Sequence, residues 1–230
     1  MNSKHLILDL DNTLYSYDAP HKIALSAVLE TFSTTFNISK EQTKQSFDKA
    51  RLNTHLELPA RAASHNRLLY LQKMFEYNDL NSMKYGLEFY ELYWGTFLKN
   101  MSLFENVIDY LITHKLNGGK ICILTDLTAH IQYRKIEQLG LAKYVDFLVT
   151  SEEVGVEKPH PSMFTKALRK LECIPSEALM IGDSWSKDIV GANALGIPSI
   201  WINHKKEEQL HKDYIREVSR FEEILPTHGK

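Results

Sequence analysis

His5-Leu6-Ile7-Leu8-Asp9-Leu10-Asp11-Asn12-Thr13-Leu14-Tyr15 is an apolar run that ends in two carboxylates one residue apart. Four apolar positions within Leu6 to Leu10 predict a buried strand, and Asn12-Thr13 the loop it enters, so Asp9 and Asp11 lie near the strand's C-terminal edge. Open α/β sheets bind their ligands at that edge. Like charges this close raise each other's pKa unless a cation compensates, which points to a divalent metal, a raised-pKa acid, or both. Alone, the pair also suits a helix cap or a turn, because acids commonly end strands in those roles.

Length and composition narrow the class of molecule. A chain of 230 residues can bury one sizeable core and a smaller second one. Apolar residues are 43% and charged residues 24% of the chain, ordinary globular usage that argues against a disordered or fibrous protein. The formal net charge is -2, from 27 basic and 29 acidic residues, and basic residues gather only in short clusters such as His204-Lys205-Lys206. Neither a nucleic-acid polymer nor a membrane surface is therefore expected as a partner. No apolar run approaches the roughly 18 residues of a membrane span, and the first strand begins without a signal-like segment, so a cytoplasmic location is expected. Cys122 sits inside a strand pattern and Cys173 just after a helical one, which suggests two free thiols in a reduced compartment. The ten histidines show no metal-binding spacing, and the sequence has no Gly-rich phosphate loop, dinucleotide fingerprint or zinc-protease motif.

The pattern changes twice along the chain. After the first strand, about a hundred residues read as helices. Pro20 to Phe36 carries Leu25, Val28, Leu29, Phe32 and Phe36; Ser39 with Gln42 makes a capping-box start for a second helix to about Asn53. Leu68, Leu71 and Phe75 mark a third, Leu87, Tyr90, Trp94 and Leu98 a fourth, and Val107 to Ile112 a fifth that ends at Gly118-Gly119. Strands then alternate with helices: Ile121 to Thr125, Val145 to Thr150, Leu179 to Ile181 and Ser199 to Ile202, with helices to Leu139, from Pro161 to Leu171, and to Leu195 between them. Such βα units imply a parallel sheet with helices on both faces. The helical block interrupts the series after its first strand and reads as an inserted cap over the sheet's C-terminal edge. The expected domains are residues 1–16 with 104–230, an α/β core, and residues 17–103, a helical cap.

Three later segments fall at strand ends: Ile121-Cys122-Ile123-Leu124-Thr125-Asp126, Gly155-Val156-Glu157-Lys158-Pro159-His160-Pro161, and Met180-Ile181-Gly182-Asp183-Ser184 followed by Asp188. With the opening motif, these segments resemble, in order and spacing, the four motifs of the haloacid dehalogenase superfamily of hydrolases, and the likeness covers essentially the whole chain. The resemblance implies a Rossmann-like, doubly wound parallel sheet core with an all-helical cap. It also implies Asp9 as a nucleophile that forms an aspartyl-phosphate, and Asp11 as the acid that protonates the leaving oxygen and then activates water. By the same resemblance Mg²⁺ would be held by Asp9, the backbone carbonyl of Asp11 and Asp183, with Asp188 orienting a bound water. Thr125, the backbone N–H groups beside it at Asp126, and Lys158 would bind the phosphate. Asp126 departs from the Asn or Ser common at its position; a carboxylate facing a phosphate would repel it, so its side chain is expected to point away.

The second acid bears on which reaction is run. Breaking a carbon–halogen bond needs neither a metal nor a proton for the leaving halide, whereas an alkoxide leaving phosphorus gains from an acid at Asp11. A phosphomonoesterase acting on a small phosphorylated metabolite is therefore expected, working as a monomer or homodimer. Ser151-Glu152-Glu153-Val154-Gly155-Val156 and Trp201-Ile202-Asn203 are similar to the branch containing pyrimidine nucleotidases and acylneuraminate-9-phosphatases, which suggests a nucleoside 5′-monophosphate; a sugar phosphate or a mutase reaction is the alternative. A non-catalytic binding module on the same fold is opposed by the presence of every catalytic residue type. Substrate choice is expected in the cap and its entry hinge, where Arg51, His55, Arg61, His65 and Arg67 offer polar groups and Tyr15, Tyr17, Tyr85, Tyr90 and Trp94 offer ring faces, most of them with structural duties first. Trp185 either edges the pocket or packs beneath its loop. The Lys205-Lys206-Glu207-Glu208 run is expected to be a solvated helix face.

Overall fold

Strand β1, His5–Leu8, is buried on both faces, as a strand in the middle of a parallel sheet must be. The computed structural model describes residues 4–209 and 214–224. Around β1 are β2 (Ile121–Thr125), β3 (Phe147–Thr150), β4 (Ala178–Gly182), β5 (Ser199–Ile202) and β6 (Ile215–Val218), in the order β3-β2-β1-β4-β5-β6, every neighbouring pair parallel. The chain divides into two units, one formed by residues up to Ser16 and from Ser102, the other by Tyr17–Met101.

In the sheet unit, alternate side chains point to opposite faces. Ile7, Cys122, Leu124, Val149 and Met180 pack with Met163, Phe164 and Ala167 of helix α8 (Pro161–Leu171) into one buried cluster. Leu6, Leu8, Ile123 and Ile181, on the opposite face, are buried as well. Register then decides what comes together beyond the strands: Leu8 lies opposite both Ile123 and Ile181, so the chain leaves β1, β2 and β4 at one level. The Asp9 N–H donates to the Ile181 carbonyl at 3.0 Å, carrying the pairing one residue further.

The helical unit comprises α1 (Asp18–Phe36), α2 (Lys40–Glu57), α3 (Arg67–Glu76) and α4 (Ser82–Lys99). The starts of α2, α3 and α4 are capped as their residue types dictate: Ser39 accepts from the Gln42 N–H, Asn66 from Leu68, and Asn81 from Met83 and Lys84. Phe32, Phe75 and Phe89 meet with ring centroids 5.1 to 5.8 Å apart, an aromatic core for the unit. The remaining helices belong to the sheet unit: α5 (Val107–Leu116), α6 (Ala129–Gln138), α7 (Ser151–Val154), α8, and α9 (Val190–Asn193), the last entered through a π-helical turn at Trp185–Ile189. Among the described residues no helix is long and apolar enough to cross a membrane.

Three expectations need correction. The buried face of α4 is Gly86, Phe89, Tyr93, Trp94, Phe97 and Leu98, so Trp94 and Leu98 are buried as expected, but Leu87 is 68% exposed; the aromatic residues outcompete that leucine for the core. Strand β6 was not expected, because Arg216 and Glu217 break its apolar pattern; both are exposed, as charged residues on an edge strand should be. Lys205 to Glu208 form no helix: the Asn203 side chain accepts from the Glu207 N–H and donates to the Glu207 carbonyl, closing a loop instead.

Glycine 191 lets α9 lie against α8, since a Cβ there would sit 2.4 Å from the Phe164 ring and 3.1 Å from the Pro159 backbone. Gly191→Ala should therefore lower stability by about 1–3 kcal/mol, the usual cost of overpacking a filled core. Urea unfolding followed by circular dichroism would measure it, and an unchanged midpoint would mean that Phe164 has room to turn aside.

Candidate active site

The loops that leave β1, β2 and β4, together with the loop before α8, bring their polar side chains to one place. Asp9, at the end of β1, is 5% exposed. Lys158 donates to its Oδ1 at 2.6 Å and the Thr13 hydroxyl to its Oδ2 at 2.9 Å, so both oxygens are held. The same ammonium group reaches Asp188 Oδ1 at 2.6 Å and the Leu124 carbonyl at 3.1 Å. Asp183 follows β4, with its backbone carbonyl fixed by the Trp201 indole N–H at 2.9 Å. Carboxylate oxygens of Asp9, Asp183 and Asp188 all lie within 4.8 Å of one another.

Charge in this cluster is unbalanced. Burial pushes the Asp9 carboxyl up, and the charges of Asp188 and Asp11 add to that against the pull of Lys158, leaving it at about 7. Asp183 is raised to about 8 by burial and by Asp9 and Asp188. For Lys158, burial opposes the charge, but Asp188, Asp9 and Asp126 outweigh it and raise its pKa. One ammonium among three carboxylates leaves a negative surplus that a hard cation would offset. The donor set is all oxygen, which suits such an ion.

Asp11 is held apart from this cluster. Its carboxylate accepts from Lys135 at 2.7 and 2.9 Å and from the Tyr15 hydroxyl. Burial works against its charge, yet Lys135, Tyr15 and Gln132 together bring its pKa below the usual carboxylate range. Lys135 is fully buried on α6, beside Ile131, Gln132 and Ile136. Gln132 in turn donates to the Thr125 hydroxyl and the Asp126 carbonyl, both at 2.7 Å. Lys135 and Gln132 were not singled out in the sequence, although their spacing with two isoleucines on one helix face carried the signal.

The remaining sequence candidates fall in the same region. Thr125 is buried at the end of β2. The Asp126 side chain accepts from the Lys158 N–H at 3.1 Å and from the Lys187 ammonium at 2.8 Å, so its carboxylate is engaged by the loop before α8 and by the turn after β4. Besides Lys158, Asp188 accepts from the Ser184 N–H at 3.0 Å, which secures that turn. Trp185 packs against Trp201 with ring centroids 4.9 Å apart.

A family model described as haloacid dehalogenase-like hydrolase matches residues 6–202. Ribulose-1,5-bisphosphate 5-phosphatase of Halopiger xanaduensis is 36% identical over 205 residues, 88% of this chain and 85% of that protein. Pyrimidine 5′-nucleotidase YjjG of Escherichia coli is 40% identical over 93 residues, 40% of this chain and 41% of that one. Among solved structures, a HAD phosphatase from Thermococcus onnurineus superposes with a TM-score of 0.74 at 26% identity, covering 96% of this chain and 95% of the other.

The raised carboxylates have a thermodynamic signature. A carboxyl whose folded pKa lies at about 7 or 8, above the ordinary 3.8, binds more protons folded than unfolded, so its contribution to stability is lost as pH rises toward the folded value. The melting temperature of chelator-treated protein should therefore fall between about pH 5 and about pH 8, and a hard divalent cation should restore more of it at the upper end. Differential scanning calorimetry would test this; equal stabilisation by the cation at both ends would show that these carboxylates do not carry the surplus charge.

Proposed function

Because the chain belongs to the haloacid dehalogenase-like hydrolase family, we propose that it is a Mg²⁺-dependent phosphomonoesterase that works through a phosphoaspartate at Asp9 and acts on small sugar phosphates. The observation that carries this reading is Asp9 itself: a buried carboxylate with Oδ1 on Lys158 and Oδ2 on Thr13, beside two further acids. Burying charge at this density is costly, and such arrangements concentrate at functional sites.

In this reading an Asp9 carboxylate oxygen attacks phosphorus in line as the ester oxygen departs, giving an acyl phosphate and an alcohol. Asp11 gives the departing oxygen its proton, then takes one from the water that attacks the acyl phosphate, and the Asp9 carboxylate is restored with release of phosphate. The pull of Lys135 and Tyr15 on Asp11 favours its ionised form, which suits the second step; the first requires Asp11 to be loaded with a proton against that pull. Lys158 balances charge between nucleophile and phosphate, and the Thr125 hydroxyl and the neighbouring Asp126 N–H hold phosphate oxygens. Asp9, Asp183 and the Asp11 carbonyl would hold Mg²⁺, with Asp188 behind them, and the bound ion would neutralise charge on the phosphate oxygens.

Sugar phosphates are favoured over nucleotides by coverage. The likeness to the ribulose-bisphosphate phosphatase extends over 205 residues and so includes most of the helical unit, whereas the nucleotidase matches 93 residues only.

Asp9→Asn should lower turnover of any phosphate ester by at least about a thousandfold, because an amide cannot become the acyl phosphate, while the nearly isosteric change leaves the protein folded. Turnover near the wild-type value in a contaminant-free preparation would refute covalent catalysis at Asp9. Excess chelator should abolish hydrolysis and added Mg²⁺ restore it. A panel of phosphorylated metabolites should rank phosphosugars above nucleoside monophosphates; the reverse ranking would overturn the substrate class and leave the chemistry standing.

A further inference from the structure

A phosphate-binding loop that carries an acid has to dispose of its charge. Thr125 and the Asp126 N–H hold phosphate oxygens in the reading above, and the Asp126 carboxylate belongs to the same short segment after β2. Its charge is felt at the centre of the site: burial opposes the Lys158 ammonium, and Asp126 is one of the three acids, with Asp188 and Asp9, that keep it protonated. Glu157, buried on the loop before α8, is a second acid in this neighbourhood.

The cation that meets both acids is Lys187. Its ammonium lies 2.8 Å from Asp126 Oδ2 and 3.5 Å from Glu157 Oε2. The π-helical turn at Trp185–Ile189 fixes its backbone, where the Lys187 N–H donates to the Ser184 hydroxyl at 3.3 Å. Two consecutive side chains of that turn are thus committed to different charges, Asp188 to the Lys158 ammonium and Lys187 to Asp126 and Glu157. Burial opposes the Lys187 charge, but Asp126, by its charge and its hydrogen bond, and Glu157 outweigh it and raise the pKa, so the ammonium form is secured near neutrality. Asp126 Oδ1 accepts from the Lys158 N–H at 3.1 Å. Each oxygen of the carboxylate therefore has its own donor, and the orientation of the side chain is set by two groups outside β2.

We propose that Lys187 is the positioning residue that lets the phosphate-binding loop carry an acid: it holds the Asp126 carboxylate by Oδ2, offsets its charge, and so sets the affinity for the phosphate group. The proposal rests on the phosphomonoesterase reading, and it gives Lys187 no contact with substrate. Residues 126 and 187 then act as one unit. An amide at 126 needs no cation at 187, and the loss of the cation matters only while the acid remains.

An ion pair at a partly exposed lysine contributes little to stability, so Lys187→Met, a change of similar length, should leave the protein folded. Inorganic phosphate with saturating Mg²⁺, titrated calorimetrically into the full chain, measures the site without turnover. Lys187→Met should weaken phosphate binding by about tenfold, because the anion then faces uncompensated acids. Lys187→Arg keeps the charge and should bind within about twofold of wild type. Adding Asp126→Asn to Lys187→Met should recover most of the loss, since the Asn Oδ1 still accepts from the Lys158 N–H while the charge is gone. Asp126→Asn alone should tighten phosphate binding. With p-nitrophenyl phosphate, the effect of Lys187→Met should fall on KM more than on kcat. Unchanged phosphate affinity in Lys187→Met, or a loss that persists in the double variant as a packing role would require, overturns the proposal. Weaker binding by Asp126→Asn alone overturns it too, whatever the folding of Lys187→Met. Wild-type protein that binds no phosphate would defeat the phosphomonoesterase reading and this proposal with it, whereas binding that ignores residue 187 defeats the proposal alone.

Discussion

A single ammonium group, that of Lys158, ties the edge of the sheet together. It touches Asp9 from β1, the Leu124 carbonyl from β2, and Asp188 from the turn after β4, while its own backbone N–H is accepted by Asp126. Burial of this charge is tolerable only because the neighbouring carboxylates outweigh its desolvation. The dependence is mutual. Without Lys158, Asp9, Asp183 and Asp188 would stand together with no cation from the chain in direct contact with Asp9, and neutral forms would be favoured over the ionised nucleophile.

The two lysines of the site divide the carboxylates between them. Lys158 serves Asp9 and Asp188; Lys135 serves Asp11 and leaves it more acidic than usual, where Asp9 and Asp183 are less so. Carboxylates a few residues apart in sequence thus acquire different proton affinities from their surroundings, which is the precondition for one to act on phosphorus and another to handle protons. Asp126 illustrates the same economy: Lys187 and the Lys158 N–H take up a negative charge that would otherwise repel an anion.

Much of this was legible in the sequence where chemistry and strand ends coincide. Asp9, Thr125 and Asp183 follow or end apolar runs, and parallel pairing obliges such ends to meet on one edge, whereas Lys158 stands out by its proline-bounded loop before α8. Lys135 and Gln132 were not legible in the same way, because they come from the interior of a helix, where a lysine ordinarily signals solvent; only their place between Ile131 and Ile136 tells otherwise. In α4 the periodic signal was present in two competing phases, and Leu87 was assigned to the wrong one because Phe89, Tyr93 and Phe97 bury more surface. Strand β6 escaped because an edge needs only one apolar side, here Ile215 and Val218, and so lacks the unbroken run of β2 or β4. Among the arginines the sequence offers in the helical block, nothing local distinguishes Arg67, which becomes buried, from Arg61, which stays exposed.

Gly182 at the end of β4 gives the site a dependence on a residue with no side chain. A Cβ at this position would fall 2.5 Å from Asp188 Cγ, inside the space the carboxylate occupies to reach Lys158 and the Ser184 N–H. Positions 182 and 188 are consequently not independent in heredity. Any substitution that gives residue 182 a side chain collides with the acid six residues later. An invisible hydrogen atom thus acts as a barrier in sequence space, guarding a carboxylate it never bonds.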